Sequence, residues 1–150
     1  MTSLAATRTE MPINILLVED DDGDAKAVVR AFGKAAIANN IHRVVDGVAA
    51  LEFLRDEEVM KSLSPLIVLV DINMPRMSGH EMVSQIREDA DLHQHVIFML
   101  TTSKSNDDRA TAYNNNVAGY IVKEKAGQDF LNLVNTLDAY WRLVELPVLR

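Results

Sequence analysis

Cysteine is absent from the 150 residues, which excludes disulfides and thiolate metal sites and suits a reducing compartment. No apolar run approaches the roughly eighteen residues of a membrane span. The opening "MTSLAATRTEMP" lacks the apolar centre of a secretion signal, and residues 1–11 read as a flexible tail. Basic charge is scarce as well: 15 Lys and Arg stand against 22 Asp and Glu, a formal net charge of -7. Neutralising a phosphate backbone takes clustered cations, and these are scattered. A soluble, cytoplasmic protein is expected, with no nucleic-acid partner and no membrane partner.

What is present is a single alternation of short apolar runs and amphipathic stretches, without repeats or low-complexity segments. Strands are predicted at "INILLV" (13–18), "IHRVV" (41–45), "PLIVLV" (65–70), "HVIFML" (95–100) and "VAGYIV" (117–122). Between them lie helical stripes: Ala25, Val28, Val29, Phe32 and Ala36; then Ala50, Leu51, Phe53 and Leu54; then Met82, Val83 and Ile86. Asp46-Gly47 reads as a turn, and Ser103 or Ser105 as the cap of a helix with Asp107 and Asp108 in its first turn. A last helix is expected from about Gln128 to Val144. Strands that each lead into a helix imply an α/β fold, a five-stranded parallel sheet with right-handed crossovers and helices on both faces. In such sheets ligands bind at the carboxyl ends of the strands.

Those ends carry a coherent chemistry. Glu19 and Asp20 follow the first strand, Asp71 the third, Thr101, Thr102 and Ser103 the fourth, and Lys123 the fifth. Unpaired carboxylates repel and are costly to bury, so the acid-rich stretch "LLVEDDDGD" (16–24) asks for a counter-charge. Hard oxygen donors in this number suit Mg²⁺, which takes one or two carboxylates and phosphoryl oxygens. Asp21, Asp22 and Asp24 read more simply as charges near a helix N-terminus. A calcium loop is excluded, because Ala25 stands where that loop requires glycine.

The ordered stretches "ILLVEDD", "VVDGVAALEFL", "LIVLVDINMPRMSGHEM", "VIFMLTTS" and "GYIVK" resemble the receiver domain of two-component response regulators, over about residues 12–140. The resemblance implies a flavodoxin-like fold with strand order 2-1-3-4-5, and Asp71 as acceptor of a phosphoryl group from a sensor histidine kinase. It implies Mg²⁺ bound by Glu19, Asp20, Asp71 and the backbone carbonyl of Asn73. Thr101 and Lys123 would contact phosphoryl oxygens, and Tyr120 would be a switch aromatic coupled to Thr101. The resemblance further implies that the protein turns over its own phosphoryl group, so it is read as a switch, not an enzyme. The ending "LDAYWRLVELP" resembles regulators paired with phytochrome-type kinases. With no output domain expected, the signal leaves by protein contacts or onward phosphotransfer.

Two departures stand out. Receivers commonly place a cis proline after the lysine; here Glu124 follows Lys123, and a trans bond is expected because a non-proline cis bond costs roughly 2.5–4 kcal/mol. Glu19 replaces the commoner aspartate and would reach a cation directly or through water. His93 and His95 fall on the opposite sheet edge and read as a solvated loop; His42 and His80 have no evident partner. A phosphorylation-independent adaptor would lack one of the site residues. A metal-dependent phosphatase would want an acid where Asn73 stands.

In the last helix Phe130, Val134, Leu137, Trp141 and Val144 suffice to cover the sheet. Residues 141–150 extend the last helix and tail past the receiver, and apolar residues beyond that need suggest a homodimer through the last helix and tail, using Leu133, Tyr140, Trp141, Leu143, Val144 and Leu146.

Overall fold

Strand β1, Ile13–Val18, is buried along its whole length because it lies inside the sheet with a layer of helices on either face. The computed structural model describes residues 11–148. Residues 1–10 of the tail expected at 1–11, and Leu149 and Arg150, lie outside them. β1 pairs in parallel with β2 (Asn39–Val44) and β3 (Ile67–Val70); β4 (Val96–Thr101) and β5 (Gly119–Val122) complete the order β2-β1-β3-β4-β5.

Alternation along each strand splits the interior into two cores. Leu16, Val18, Val68, Val70, Ile97 and Met99 face one side, against helices α2 (Gly47–Leu54), α3 (Glu57–Leu63), α4 (Gly79–Glu88) and α5 (Asn106–Asn114). Ile15, Leu17, Ile67, Leu69, Phe98 and Leu100 face the other, under α1 (Asp22–Lys34) and α6 (Leu131–Leu143). Truncating any of these large aliphatic side chains to alanine is expected to cost about 2–5 kcal/mol.

Helix α3 was not expected. Asp56 caps it, Glu57 and Glu58 occupy its first turn, and only Met60 and Leu63 are buried, too few positions to show a helical period. Asp46 caps α2 through the Ala49 N–H where a turn was predicted. In α1 Ala31 takes the core position assigned to Val29, which is 47% exposed. Among the described residues the one cis peptide bond precedes Pro65, so Lys123–Glu124 is trans as expected.

Helix α6 corrects the dimer surface. It begins at Leu131 because Asp129 and Phe130 adopt left-handed φ values of 53° and 61°, and the row Leu133, Leu137 and Trp141 faces the sheet with Val134 beside it. Leu133 and Trp141 are therefore core residues of the chain itself. So is Leu146, which packs into the same core beyond the helix. Tyr140 is half-buried, edge-on to Phe98, and Val144 is half-buried, leaving Leu143, 82% exposed, and Val148 as open apolar surface.

At the amino-terminal edge of the strands Arg87, near the end of α4, donates to the carbonyls of His93, His95, Asn115 and Asn116. His95 is buried, not solvated, and its Nδ1 has no partner. Burial, with the Arg87 charge adding to it, pushes its pKa down to about 4. No helix among the described residues is long and apolar enough to cross a membrane.

Candidate functional site

The opposite, carboxyl edge collects the acids. Glu19 leaves β1 through a backbone bond to the Val44 carbonyl, and Asp71 leaves β3 through one to the Val18 carbonyl. Both side chains are buried while Asp20 is exposed, and one oxygen from each of the three lies within 4.8 Å of the others. Burial raises the Glu19 pKa to about 7, and the Asp71 charge pushes the same way against the opposing Lys123 contact. Such an acid favours a neighbouring cation, and a set of hard carboxylate oxygens fits Mg²⁺ or Mn²⁺.

Lys123 reaches this cluster from the end of β5. Its Nζ stands 2.8 Å from Glu19 Oε1, 3.0 Å from Asp71 Oδ2 and 2.7 Å from Asp24 Oδ2. Burial alone would lower the lysine pKa, but hydrogen bonds to Asp24, Glu19 and Asp71 outweigh it and hold the ammonium well above its ordinary value. It is a fixed positive charge.

The acid run resolves into separate tasks. Asp21 caps α1 by accepting the Asp24 N–H, and Asp22 pairs with Arg43 at 2.7 Å. The same Arg43 donates its Nε to the Glu19 carbonyl, pinning the turn that presents Glu19 and Asp20. Asp24 lies in the first turn of α1, as its position predicts; its reach to Lys123 has no local signal, because the two residues are distant in sequence.

Asp71 Oδ1 accepts the Ile72 N–H at 2.7 Å, orienting the carboxylate. The loop after it is held at two points. Gly79, at the start of α4, donates to the Ile72 carbonyl at 2.8 Å, and Arg76 makes a two-pronged bond to Asp46 at 2.7 and 3.0 Å. Ser78 and Glu81 form a capping box that fixes the same helix start. Asn73 lies exposed within this loop.

Thr101 is fully buried at the end of β4 and accepts the Ser103 N–H. Tyr120, half-buried on β5, donates its hydroxyl to the Ser103 carbonyl at 2.9 Å. Ser103 Oγ donates to Asp108, whose other oxygen meets His80 Nε2 at 3.1 Å. His80 thus has a partner that the sequence did not reveal, and the cap of α5 is Ser105.

A family model described as the response regulator receiver domain matches residues 15–135. The probable methanogenesis regulatory protein FilR2 of Methanothrix harundinacea is 38% identical over 132 residues, 88% of this chain and 85% of its own. Response regulator Rcp1 of Synechocystis is 32% identical over 138 residues, 91% of this chain and 94% of its own. The Mn²⁺-bound form of Rcp1 matches with a TM-score of 0.75 at 31% identity, over 91% of this chain and 99% of that one. The phosphorylated cyanobacterial phytochrome response regulator RcpA matches at 0.79 and 28% identity, with the same coverage. By its residues 15–135, and by a strand-end chemistry that agrees with them, the chain belongs to the response regulator receiver family.

Proposed function

We propose that Asp71 accepts a phosphoryl group from a phosphohistidine of a sensor histidine kinase, and that the protein passes the signal on by contacts or onward transfer. The observation that carries this is the Lys123 ammonium 3.0 Å from Asp71 Oδ2, beside the Glu19 and Asp20 oxygens. A carboxylate oxygen of Asp71 attacks phosphorus in line with the imidazole nitrogen. The phosphorus–oxygen bond forms, the phosphorus–nitrogen bond breaks, and the nitrogen keeps the electron pair. Lys123 neutralises one phosphoryl oxygen. Thr101 accepts the Ser103 N–H, which leaves its own hydroxyl proton to donate to another.

Glu19, Asp20, Asp71 and the Asn73 carbonyl would hold Mg²⁺, which would supply charge neutralisation between the acids and the phosphoryl group. Tyr120 bonds the loop that follows Thr101, so a shift of that threonine is felt at the tyrosine. These contacts support a switch over an adaptor that works without phosphorylation. Mass spectrometry after incubation with a small phosphodonor and Mg²⁺ tests the acceptor. The wild type should gain one phosphoryl mass and Asp71→Asn none; full labelling of the variant defeats the assignment.

The proposed partner is a phytochrome-type kinase in the cytoplasm, supported by the similarity to the cyanobacterial phytochrome response regulator RcpA. FilR2, with higher identity, carries a name from methanogenesis, so the input needs its own test. Phosphotransfer to Asp71 from a bilin-binding kinase that changes between red and far-red light supports the light pathway; transfer only from a non-photosensory kinase refutes it. A homodimer remains part of the proposal, through Leu143 and Val148 with the half-buried Tyr140 and Val144.

A further inference from the structure

Lys123 is held by one more carboxylate than the transfer itself needs. An ammonium has three N–H donors, and Glu19, Asp71 and Asp24 take all three. Two of these acceptors have competing duties. Glu19 and Asp71 belong to the oxygen set proposed for the cation, and Asp71 is also the proposed nucleophile. Asp24 faces no such competitor. It makes the shortest of the three contacts, 2.7 Å, and its backbone N–H is locked at the start of α1 by the Asp21 cap, also at 2.7 Å.

The lysine's own connection contributes little stiffness. Lys123 opens a short 3₁₀ turn, Lys123–Lys125, and no proline follows it. Glu124, in the place where receivers commonly carry that proline, pairs with Lys104 at 2.7 Å, but both side chains are more than half exposed. An exposed pair of this kind holds a loop weakly. A lysine stem is long and flexible, so the ammonium needs an anchor at its far end.

We propose that Asp24 is a positioning residue for Lys123. It keeps the ammonium in place while the lysine exchanges its Asp71 contact for an oxygen of the incoming phosphoryl group. The inference rests on the phosphoacceptor reading above and adds a residue from α1 to that chemistry.

The test has two arms. In metal-free protein labelled with ¹⁵N-lysine, the Lys123 ammonium should give a slowly exchanging resonance, assigned by its loss in Lys123→Ala. Asp24→Asn is nearly isosteric and lowers the repulsion among the acids, so the fold is retained. In that variant the ammonium protons should exchange at least roughly tenfold faster, as expected for loss of a charge-assisted hydrogen bond. With a small phosphodonor and Mg²⁺, Asp24→Asn should slow labelling of Asp71 by about tenfold. In a Lys123→Ala background the same substitution should cost nothing further. An unchanged ammonium resonance in Asp24→Asn overturns the proposal, as do rate losses that simply multiply in the double variant. If wild-type Asp71 takes no label, the phosphoacceptor reading fails, while the metal-free arm still decides whether Asp24 anchors the lysine.

Discussion

Replacing Gly79 by alanine perturbs the acceptor from behind, without touching any charged group. A Cβ built at this position overlaps the carbonyl oxygen of Asp71 and lies 2.9 Å from the Ile72 Cα. Neither neighbour is the end of a flexible side chain; both are backbone at the acceptor itself. Ordinary contact would need α4 to retreat by about 1 Å, with an overpacking cost of roughly 1–3 kcal/mol. The retreat also stretches the Gly79 N–H bond to the Ile72 carbonyl and carries with it the loop that bears Asn73. A misplacement of about 1 Å at reacting groups is worth up to about 10²-fold in rate. Gly79→Ala should therefore melt at lower temperature and label Asp71 about one to two orders of magnitude more slowly at saturating phosphodonor. Thermal unfolding by circular dichroism gives the first quantity and intact-mass time courses the second. Wild-type labelling with wild-type melting would show that the helix start yields freely, and the reasoning would be wrong.

Asp20→Asn should weaken Mg²⁺ binding by at least roughly tenfold; because it relieves carboxylate repulsion, the metal-free protein should melt no lower than the wild type. A lower melting temperature in chelator would make Asp20 a structural residue. In urea titrations, His95 should make the protein acid-labile: its pKa of about 4 lies below the ordinary 6.5, so this stability is present above pH 6.5 and is lost as pH falls towards 4. Glu19 acts oppositely, its pKa of about 7 making its contribution full below the ordinary 4.5 and lost as pH rises through 7. Glu19→Gln should thus steepen the loss of stability between pH 6.5 and 4.5, and an unchanged slope would contradict the Glu19 assignment. Light scattering at micromolar concentration should give a dimer for the wild type and a monomer for Leu143→Asp; a monomeric wild type removes the dimer. Truncation before Trp141 cannot serve here, because Trp141 and Leu146 are part of the core.

The sheet was legible because β1, β3, β4 and β5 are short apolar runs, each ending in a residue of distinct chemistry, with the more polar β2 inferred beside them. Glu19, Asp20, Asp71, Thr101 and Lys123 announce themselves by that position, and the structure brings them to one edge. What escaped was decided by tertiary contact. Asp24 and Lys123 meet through the packing of α1 against the sheet, and His80 and Asp108 through the packing of α4 beside α5. In α6 the apolar residues wrap more than half the helix, so periodicity alone could not choose between Leu133 and Val134, both of which are buried. A buried His95 beside an exposed His93 reads identically in sequence.

The four carbonyls gathered by Arg87 give the molecule a fulcrum. They tie the end of α4 to the turns entering β4 and β5, at the edge of the sheet away from the acids. Helix α5 ends at this tie and begins at the Ser105 cap, where Asp108 meets Ser103 and His80. Its nine residues span about 13 Å, so a 1 Å displacement at the Ser105 end becomes a tilt of roughly 4° rather than a slide. Were phosphorylation of Asp71 to draw the buried Thr101 hydroxyl towards it, the same lever would turn the outer surface of α5, where Arg109 and Tyr113 are exposed.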